Sequence, residues 1–252
     1  MELRTDAFEI IGDPDHQRRL IVTCEHASNR VPPPMWTPPE DQPLIDDHWG
    51  WDPGAADVAR ALIEDRGGVG VLSRFSRLVC DPNREPSEFD WIRAECEGQQ
   101  VALNANIDDA ERDRRKRLYY DPYHAAIDAC LRERLSHPGD VVLFSVHSFT
   151  PNYMGERRTI EMGVLFDRFE PVAQRMQAAL QAEGFHTALN EPYDGMKGCM
   201  FAAHRHGNHH DVVYLELEVR QDLIDTPAKA RAVGLKVSRA LGQLRVRSQP
   251  RA

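Results

Sequence analysis

The amino-acid sequence predicts an α/β fold built around a mostly parallel sheet. Three short apolar runs, at 20–24, 141–146 and 212–217, are typical of buried strands. Segments with the apolar spacing of amphipathic helices lie between them. Strands that alternate with helices along a chain indicate β-α-β units, in which the strands run parallel.

Each of the three runs ends in side chains that can bind a metal or move a proton. The first run is followed by Glu25 and His26, the second by His147, and the third by Glu218 and Arg220. In open α/β sheets, ligands bind outside the carboxyl ends of the strands. We therefore expect these three strand ends to assemble one site.

The other elements are predicted from apolar spacing and from capping signals. Asp52 is expected to be the N-cap of the first helix, with Pro53 in its first turn and Gly67-Gly68 at its end. Further helices are predicted over 108–117, from Asp121-Pro122 to about 135, over 171–183, and behind Thr226-Pro227. Further strands are predicted at 69–75, 78–80, 162–166 and 185–189, and long loops at 31–44, 148–160 and 190–211.

Length and composition limit the class of protein. The 252 residues favour a single domain over 1–252, with its core at about 18–245. The net charge of -9 argues against a nucleic-acid or an anionic-membrane partner, and no apolar run reaches the roughly 18 residues of a membrane span. No secretory signal is visible, and five cysteines without paired spacing indicate reduced thiols. We expect a cytoplasmic protein.

A metal site is the first chemical hypothesis. His26 and His147 each follow an apolar strand, and zinc is bound by imidazole nitrogen and carboxylate oxygen. The third ligand is expected to be Asp52 or His48, and the residues leave this choice open. An N-cap role for Asp52 is compatible with metal binding, because its carboxylate has a second oxygen. A packing role for each histidine is the plainer alternative.

The last strand carries charged side chains at every second position. This period places Glu216, Glu218 and Arg220 on one face of the strand. A carboxylate near an activated water can serve as a general base, and a structural Glu–Arg pair is the alternative. Asn83 and Arg84 follow another predicted strand, where an Arg fork could bind a carboxylate or simply lie in a surface turn.

Two further groups of residues have plainer explanations. Cys24 could be a nucleophile activated by His26, although a buried and inert thiol is the simpler interpretation. The tract with His204, His206, His209 and His210 could bind a metal, although a mobile polar loop from which one histidine reaches the site is the simpler interpretation.

Five motifs carry a resemblance to a known family. They are C-E-H-A-S-N-R-V-P, H-W-G-W-D-P-G-A, S-R-L-V-C-D-P-N-R, V-H-S-F-T-P and E-L-E-V-R-Q-D-L-I, in this order between 20 and 224. Together they resemble the N-formylglutamate amidohydrolase family. That family is in turn similar to the zinc carboxypeptidases and aspartoacylases, so the resemblance implies a three-layer α/β/α sandwich with a mixed sheet.

The resemblance also implies roles for particular residues. It implies that His26 and His147 bind zinc and that Glu218 is the catalytic carboxylate. It implies that Asn83 and Arg84 hold a substrate carboxylate. Arg158 and His206 fall where the family tends to carry residues on the substrate side, and we count both with Glu218 as catalytic candidates. Arg220, on the face of Glu218, completes the predicted substrate-binding set.

Two positions depart from the patterns that these families share. Carboxypeptidases place a Glu three residues after the first zinc-binding His, and Asn29 stands there in this chain. The third ligand must then come from H-W-G-W-D, and the choice between Asp52 and His48 again stays open. Pro82 stands where relatives commonly have Leu in D-L-N-R.

The sequence thus predicts a hydrolase that binds one zinc ion per chain and cleaves the amide of N-formylglutamate or of a related N-acyl amino acid. Its expected partner is that small-molecule substrate, and the oligomeric state stays open. Two alternatives are kept: a zinc carboxypeptidase or N-acyl amino-acid hydrolase of other specificity, and a metal-binding protein without turnover on the same scaffold.

Overall fold

The computed structural model describes residues 3–13 and 19–244. The predicted domain over 1–252 therefore includes 1–2, 14–18 and 245–252, which lie outside the described residues. The strands are β1 (Leu3–Arg4), β2 (Phe8–Gly12), β3 (Leu20–Cys24), β4 (Val69–Ser73), β5 (Glu95–Cys96), β6 (Gln99–Gln100), β7 (Val142–Phe149), β8 (Asn152–Tyr153), β9 (Glu156–Arg157), β10 (Met162–Leu165), β11 (Thr187–Leu189) and β12 (Val213–Arg220).

The α-helices are α1 (Gln42–Asp46), α2 (Ala55–Arg66), α3 (Asp109–Arg115), α4 (Asp121–Leu135), α5 (Glu170–Ala182), α6 (Phe201–His210) and α7 (Pro227–Gly242). A π-helical turn, Lys116–Tyr120, joins α3 to α4. In the described part of the chain, no helix is both long and apolar enough to cross a membrane.

The main sheet has eight strands in the order β1-β2-β4-β3-β7-β12-β10-β11. Its centre is parallel, because β3 pairs in parallel with β4 and β7, and β12 pairs in parallel with β7. The edges introduce the antiparallel pairs β1–β2, β2–β4 and β10–β12. The predicted mostly parallel, mixed sheet is confirmed.

Helices cover both faces of the sheet. One apolar cluster joins α2, α5 and α7 to side chains such as Val22, Val146 and Leu217, and a second joins α4 and α6 to side chains such as Ile21, Leu143 and Tyr214. Helices α2 and α7 pack together on the first face, and α4 and α6 pack together on the second. The three-layer α/β/α sandwich is thus confirmed.

The period of two in β12 is also confirmed. Leu215, Leu217 and Val219 belong to the cluster with α2, α5 and α7, whereas Tyr214 belongs to the cluster on the opposite face. Glu216 and Glu218 therefore share the face of Tyr214, and both are buried. Their charges lie under the second helical layer and not in solvent.

Two predicted elements are wrong. Residues 78–80 form no strand, because Val79 donates its backbone N–H to Ser76 O at 2.9 Å and closes a turn. The predicted loop at 190–211 contains α6, whose Ala202, Ala203 and His206 are buried against the sheet. A side chain at Gly207 would overlap the ring of Tyr214, so this glycine permits a close approach of helix and sheet.

Candidate active site and metal centre

The carboxyl ends of three neighbouring parallel strands meet at one edge of the sheet. Strand β7 lies between β3 and β12, and its register places His147 beside Glu218 and Ser145 beside Glu216. His26 follows β3 by two residues. His26, His147 and Glu218 are all buried. The three strand ends lie side by side in the sheet, as the sequence predicts.

Three side chains converge closely enough to share one metal ion. Each of His26, Asp52 and His147 contributes a ligand atom, and these atoms lie within 4.8 Å of one another. Asp52 Oδ2 is 2.8 Å from His147 Nδ1 and 3.4 Å from His26 Nδ1. Among the described residues, His26 Nδ1 has no hydrogen-bond partner although it is buried. We call these three residues the metal trio.

Asp52 is not the N-cap that its position before Pro53 predicts. Helix α2 begins at Ala55, and its N-cap is Gly54, whose φ of 80° is left-handed. The Asp52 backbone N–H instead donates to His26 O at 2.9 Å. Its carboxylate accepts hydrogen bonds from Arg77 and, at 3.2 Å, from the Ser148 N–H. The side chain is thus directed into the site and not along the helix.

His48, the other candidate for the third ligand, lies behind Asp52. Its Nδ1 is 3.3 Å from Asp52 Oδ1 and 3.0 Å from Gln221 Nε2. The ring therefore contacts the oxygen of Asp52 that faces away from the two trio histidines. This geometry favours Asp52 over His48 as the third metal ligand.

Each trio histidine has a second carboxylate behind it. His26 Nε2 lies 2.7 Å from Asp81 Oδ1, and His147 Nε2 lies 3.0 Å from Glu25 Oε2. Burial alone would raise the pKa of Glu25, but hydrogen bonds from His147 and Ser145 outweigh it and lower that pKa to about 2. Both rings thus have Nε2 bound to the protein and Nδ1 toward Asp52.

The charge and chemistry of the trio fit a divalent zinc ion. Two imidazole nitrogens and one carboxylate oxygen match the ligand set of catalytic zinc sites, which keep a further position for water or substrate. Arg77 forms an ion pair with Asp52. Five buried carboxyl groups lie around the histidines: Glu25, Asp52, Asp81, Glu216 and Glu218. A bound cation would balance this excess of acidic groups.

Glu216 and Glu218 are two buried acids of the site whose pKa values are raised. Burial raises the pKa of Glu216 to about 8, and it raises the pKa of Glu218 well above its ordinary range, while the nearby His147 opposes both shifts. The Oε2 atom of each is buried without a hydrogen-bond partner among the described residues. A carboxyl group that holds its proton this readily is suited to general acid–base chemistry.

Asn83 and Arg84 border the site from the turn after 78–80. Asn83 Oδ1 accepts the Ala202 N–H at 2.9 Å, and its Nδ2 donates to Cys199 O at 3.3 Å, so Asn83 ties this turn to the start of α6. The Arg84 guanidinium is one third exposed, and it lies 3.5 Å from Asp90 and 3.7 Å from Glu88.

Arg158 lies in a group of aromatic rings. Its guanidinium carbon is 4.7 Å from the ring centre of Tyr153, 5.4 Å from that of Phe149 and 5.7 Å from that of Tyr193. Burial, followed by the charge of Glu218, raises the pKa of Tyr193 to about 12. Tyr193 thus lies beside Arg158 and close enough to Glu218 on β12 to be affected by its charge.

Arg220, predicted to bind substrate, makes several hydrogen bonds within the protein. Its Nη1 is within hydrogen-bond distance of the carbonyl oxygens of Arg158, Thr159 and Ile160, and its Nε donates to Asp222 at 2.7 Å. These contacts hold the backbone that carries Arg158. Binding of a substrate carboxylate by Arg220 stays a prediction.

His206 is not a member of the metal trio. Its Nδ1 is 2.7 Å from Asp128 Oδ1 and its Nε2 is 2.8 Å from His124 Nδ1, so both ring nitrogens are engaged. His210 Nε2 contacts the same Asp128 oxygen at 2.9 Å. We call His124, Asp128, His206 and His210 the α4–α6 cluster. The expected mobile loop is wrong, because the tract is helical, and a role for His206 on the substrate side stays a prediction.

Sequence reasoning assigned no role to Arg77 or Asp81, and it named Glu25 and Glu216 without predicting their contacts with His147. Asp81 stands inside D-P-N-R and Glu216 alternates with Glu218, so both had a signal. Cys24, in contrast, belongs to the apolar cluster on the opposite face, and burial raises the pKa of its thiol. A thiolate nucleophile at Cys24 is therefore not supported.

Comparisons with known proteins agree with this architecture. The crystal structure of a gene product of Agrobacterium tumefaciens shares 30% sequence identity, with a TM-score of 0.89 over 95% of this chain and 94% of that one. The N-formylglutamate amidohydrolase of Ralstonia eutropha shares 19% identity, with a TM-score of 0.68 over 94% of this chain and 96% of that one. At 19% identity, this second likeness shows the fold alone.

No curated protein matches the sequence significantly. The model of the N-formylglutamate amidohydrolase family, however, matches residues 18–225, which is most of the chain and includes every residue of the metal trio and Glu218. The chain therefore belongs to the N-formylglutamate amidohydrolase family and is a hydrolase that acts on amide bonds.

Proposed function

We propose that this protein is a zinc-dependent amidohydrolase that removes a formyl or another small acyl group from an amino-acid nitrogen. The observation that carries the proposal is the convergence of His26, Asp52 and His147 within 4.8 Å, with Glu218 on the neighbouring strand in register with His147. This arrangement places a metal-binding group beside a buried acid.

The trio would hold one zinc ion, with His26 and His147 binding through Nδ1 and Asp52 through Oδ2. When bound, zinc acts as a Lewis acid on a carbonyl oxygen and lowers the pKa of water toward about 7. Asp81 and Glu25 hold the two imidazole rings in place from behind.

Glu218 would move the proton. Its buried Oε2 has no partner among the described residues, and β12 holds it next to His147. It accepts a proton from the attacking water and then delivers it to the nitrogen of the leaving amine. Burial raises the pKa of Glu218, and a positive charge in the trio would lower it.

Arginines at the border of the site would bind the rest of the substrate. Arg84, with Asn83 beside it, offers a fork for the carboxylate of the amino acid, and substrate binding would replace its contacts with Glu88 and Asp90. Arg158, held among aromatic rings, would stabilise negative charge on the acyl oxygen. The five cysteines are all free, which supports the cytoplasmic location that we propose.

A substrate panel combined with metal analysis tests this function. Purified protein is measured for bound metal and is then assayed with N-formylglutamate, other N-formyl amino acids, N-acetyl amino acids and short peptides. We expect hydrolysis of N-formyl or small N-acyl amino acids that is lost with a chelator and restored by Zn²⁺. Cleavage confined to peptides, or metal-loaded protein that is inert to the whole panel, would contradict the proposal.

A further inference from the structure

A buried carboxylate, Glu25, lies on the side of His147 that faces away from the metal trio. Its side chain is fully buried. Glu25 Oε2 accepts a hydrogen bond from Ser145 Oγ at 2.6 Å and lies 3.0 Å from His147 Nε2, and its Oε1 accepts one from the Tyr123 hydroxyl at 3.1 Å. Donors from β7 and α4 thus fix both oxygens of this carboxylate.

Two carboxylates lie within hydrogen-bond distance of the His147 ring nitrogens and compete for the single N–H of its neutral form, while Glu216 Oε2 is farther, at 3.6 Å from Nε2. Asp52 Oδ2 lies 2.8 Å from Nδ1, and Glu25 Oε2 lies 3.0 Å from Nε2. A proton on Nδ1 would be donated to Asp52, and no lone pair would then face the trio. A proton on Nε2 is donated to Glu25, and the lone pair of Nδ1 is directed at the trio.

We propose that Glu25 is a positioning residue that selects the metal-binding tautomer of His147, an inference that rests on the proposed zinc site. A carboxylate can only accept hydrogen bonds, so it stabilises the ring with the proton on Nε2. Ser145 and Tyr123 prevent the carboxylate from rotating away. Partners of this kind behind a metal-binding histidine typically contribute about 10- to 100-fold to metal affinity.

A purely structural role for Glu25 makes a different forecast. A buried acid that only ties β3 to β7 and α4 would affect the melting temperature and leave zinc affinity alone. Glu25→Gln separates the two roles, because the amide keeps the size of the side chain but removes its charge and replaces one acceptor oxygen with a donor NH₂. An amide NH₂ turned toward His147 would favour the ring with its proton on Nδ1.

The first experiment measures the Zn²⁺ dissociation constant by competition with a chromogenic chelator, together with the melting temperature of the metal-free proteins. We expect Glu25→Gln to bind zinc about 10- to 100-fold more weakly than wild type. Glu9→Gln is the matched control, because Glu9 is likewise buried and hydrogen-bonded, in its case to Arg60, but lies on β2. It should bind zinc as wild type does.

The outcomes distinguish this inference from the proposed function. Wild-type protein that binds no zinc would overturn the proposed function and this inference with it. Tight zinc binding by wild type and Glu25→Gln alike would overturn the inference alone.

A second experiment needs no variant and decides the matter if Glu25→Gln does not fold. Long-range ¹H–¹⁵N correlation spectra of the zinc-loaded wild type report which nitrogen of His147 carries a proton. We expect a protected Nε2–H and a zinc-bound Nδ1. Zinc bound through Nε2 of His147 would overturn the inference.

Discussion

The two groups of histidines in this protein differ in how their ring nitrogens are used. In the metal trio, the Nδ1 atoms of His26 and His147 point to the same oxygen of Asp52, at 3.4 and 2.8 Å. In the α4–α6 cluster, His206 is bound through one nitrogen to Asp128 and through the other to His124. The ring nitrogens of the first group converge on one carboxylate oxygen, whereas the second group forms a chain of hydrogen bonds.

This difference shows that a high density of histidines does not make a metal site. The tract at 204–210 holds four histidines, yet His206 and His210 both engage Asp128, and His204 engages Asp167. The trio draws on three separate segments, and a carboxylate behind each ring leaves Nδ1 for the common centre. Strand ends from different parts of a chain can supply this convergence, whereas one helix places its histidines on successive turns.

The largest effect is expected from a substitution in the metal trio, which should lose its metal ion. We predict that His147→Ala lowers zinc content from about one ion per chain to near zero, because two ligands rarely hold zinc. His206→Gln, in the α4–α6 cluster, should keep the full zinc content. Atomic absorption on both purified variants measures it. Zinc that is retained in His147→Ala and lost in His206→Gln would reverse the assignment of the two groups.

The next effect concerns the acid beside the trio. We predict that Glu218→Gln keeps its zinc and its melting temperature and loses at least about 10²- to 10⁴-fold in kcat, because an amide cannot accept a proton at neutral pH. Turnover, bound zinc and thermal melting are measured on one sample. A variant as active per folded molecule as wild type would exclude Glu218 as the base, and Glu216, on the same strand face, would be tested next.

A smaller effect is expected for substrate binding at the border of the site. We predict that Arg84→Ala raises KM about 10- to 100-fold with little change in kcat, because a charged hydrogen bond contributes about 1.5–3 kcal/mol in ground and transition states alike. Arg93→Ala is the control, since Arg93 also pairs with Asp90. Steady-state kinetics separate the two constants. A fall in kcat at unchanged KM would place Arg84 with the developing oxyanion.

The parts of the site that follow the local pattern of the chain were predictable from sequence. A strand end fixes where the next side chain goes, so the apolar runs alone were enough to place His26, His147 and Glu218 together. The alternation in β12 likewise assigned Glu216 and Glu218 to one face.

The parts that depend on contacts distant in sequence were not predictable. Nothing near Asp52 in the sequence reveals that Arg77 and His147 bind its carboxylate, and the proline that follows it suggested a cap instead. The backbone acceptors of Arg220, at 158–160, come from a different strand connection, so no pattern near Arg220 revealed these contacts. In α6, buried alanines and a glycine at the sheet outweigh the polar composition that indicated a loop.

The smallest effect is expected in the α4–α6 cluster. Burial alone would raise the pKa of Asp128, but hydrogen bonds from His206 and His210 lower it below its ordinary range, so the cluster contains a carboxylate that both rings stabilise. We predict that Asp128→Asn costs about 1–3 kcal/mol of stability, the usual penalty for weakening charged hydrogen bonds in a partly buried group. Zinc content, kcat and KM should stay near wild type.

Chemical denaturation and steady-state kinetics on Asp128→Asn decide whether the cluster is structural. The cluster connects α4 to α6, and Asn83 connects the start of α6 to the site. A stability loss with normal kinetics would show that the two helices pack through the cluster while the site tolerates the change. A fall in kcat without a stability loss would instead show that His206 acts on the substrate side, and the separation of the two histidine groups would then be wrong.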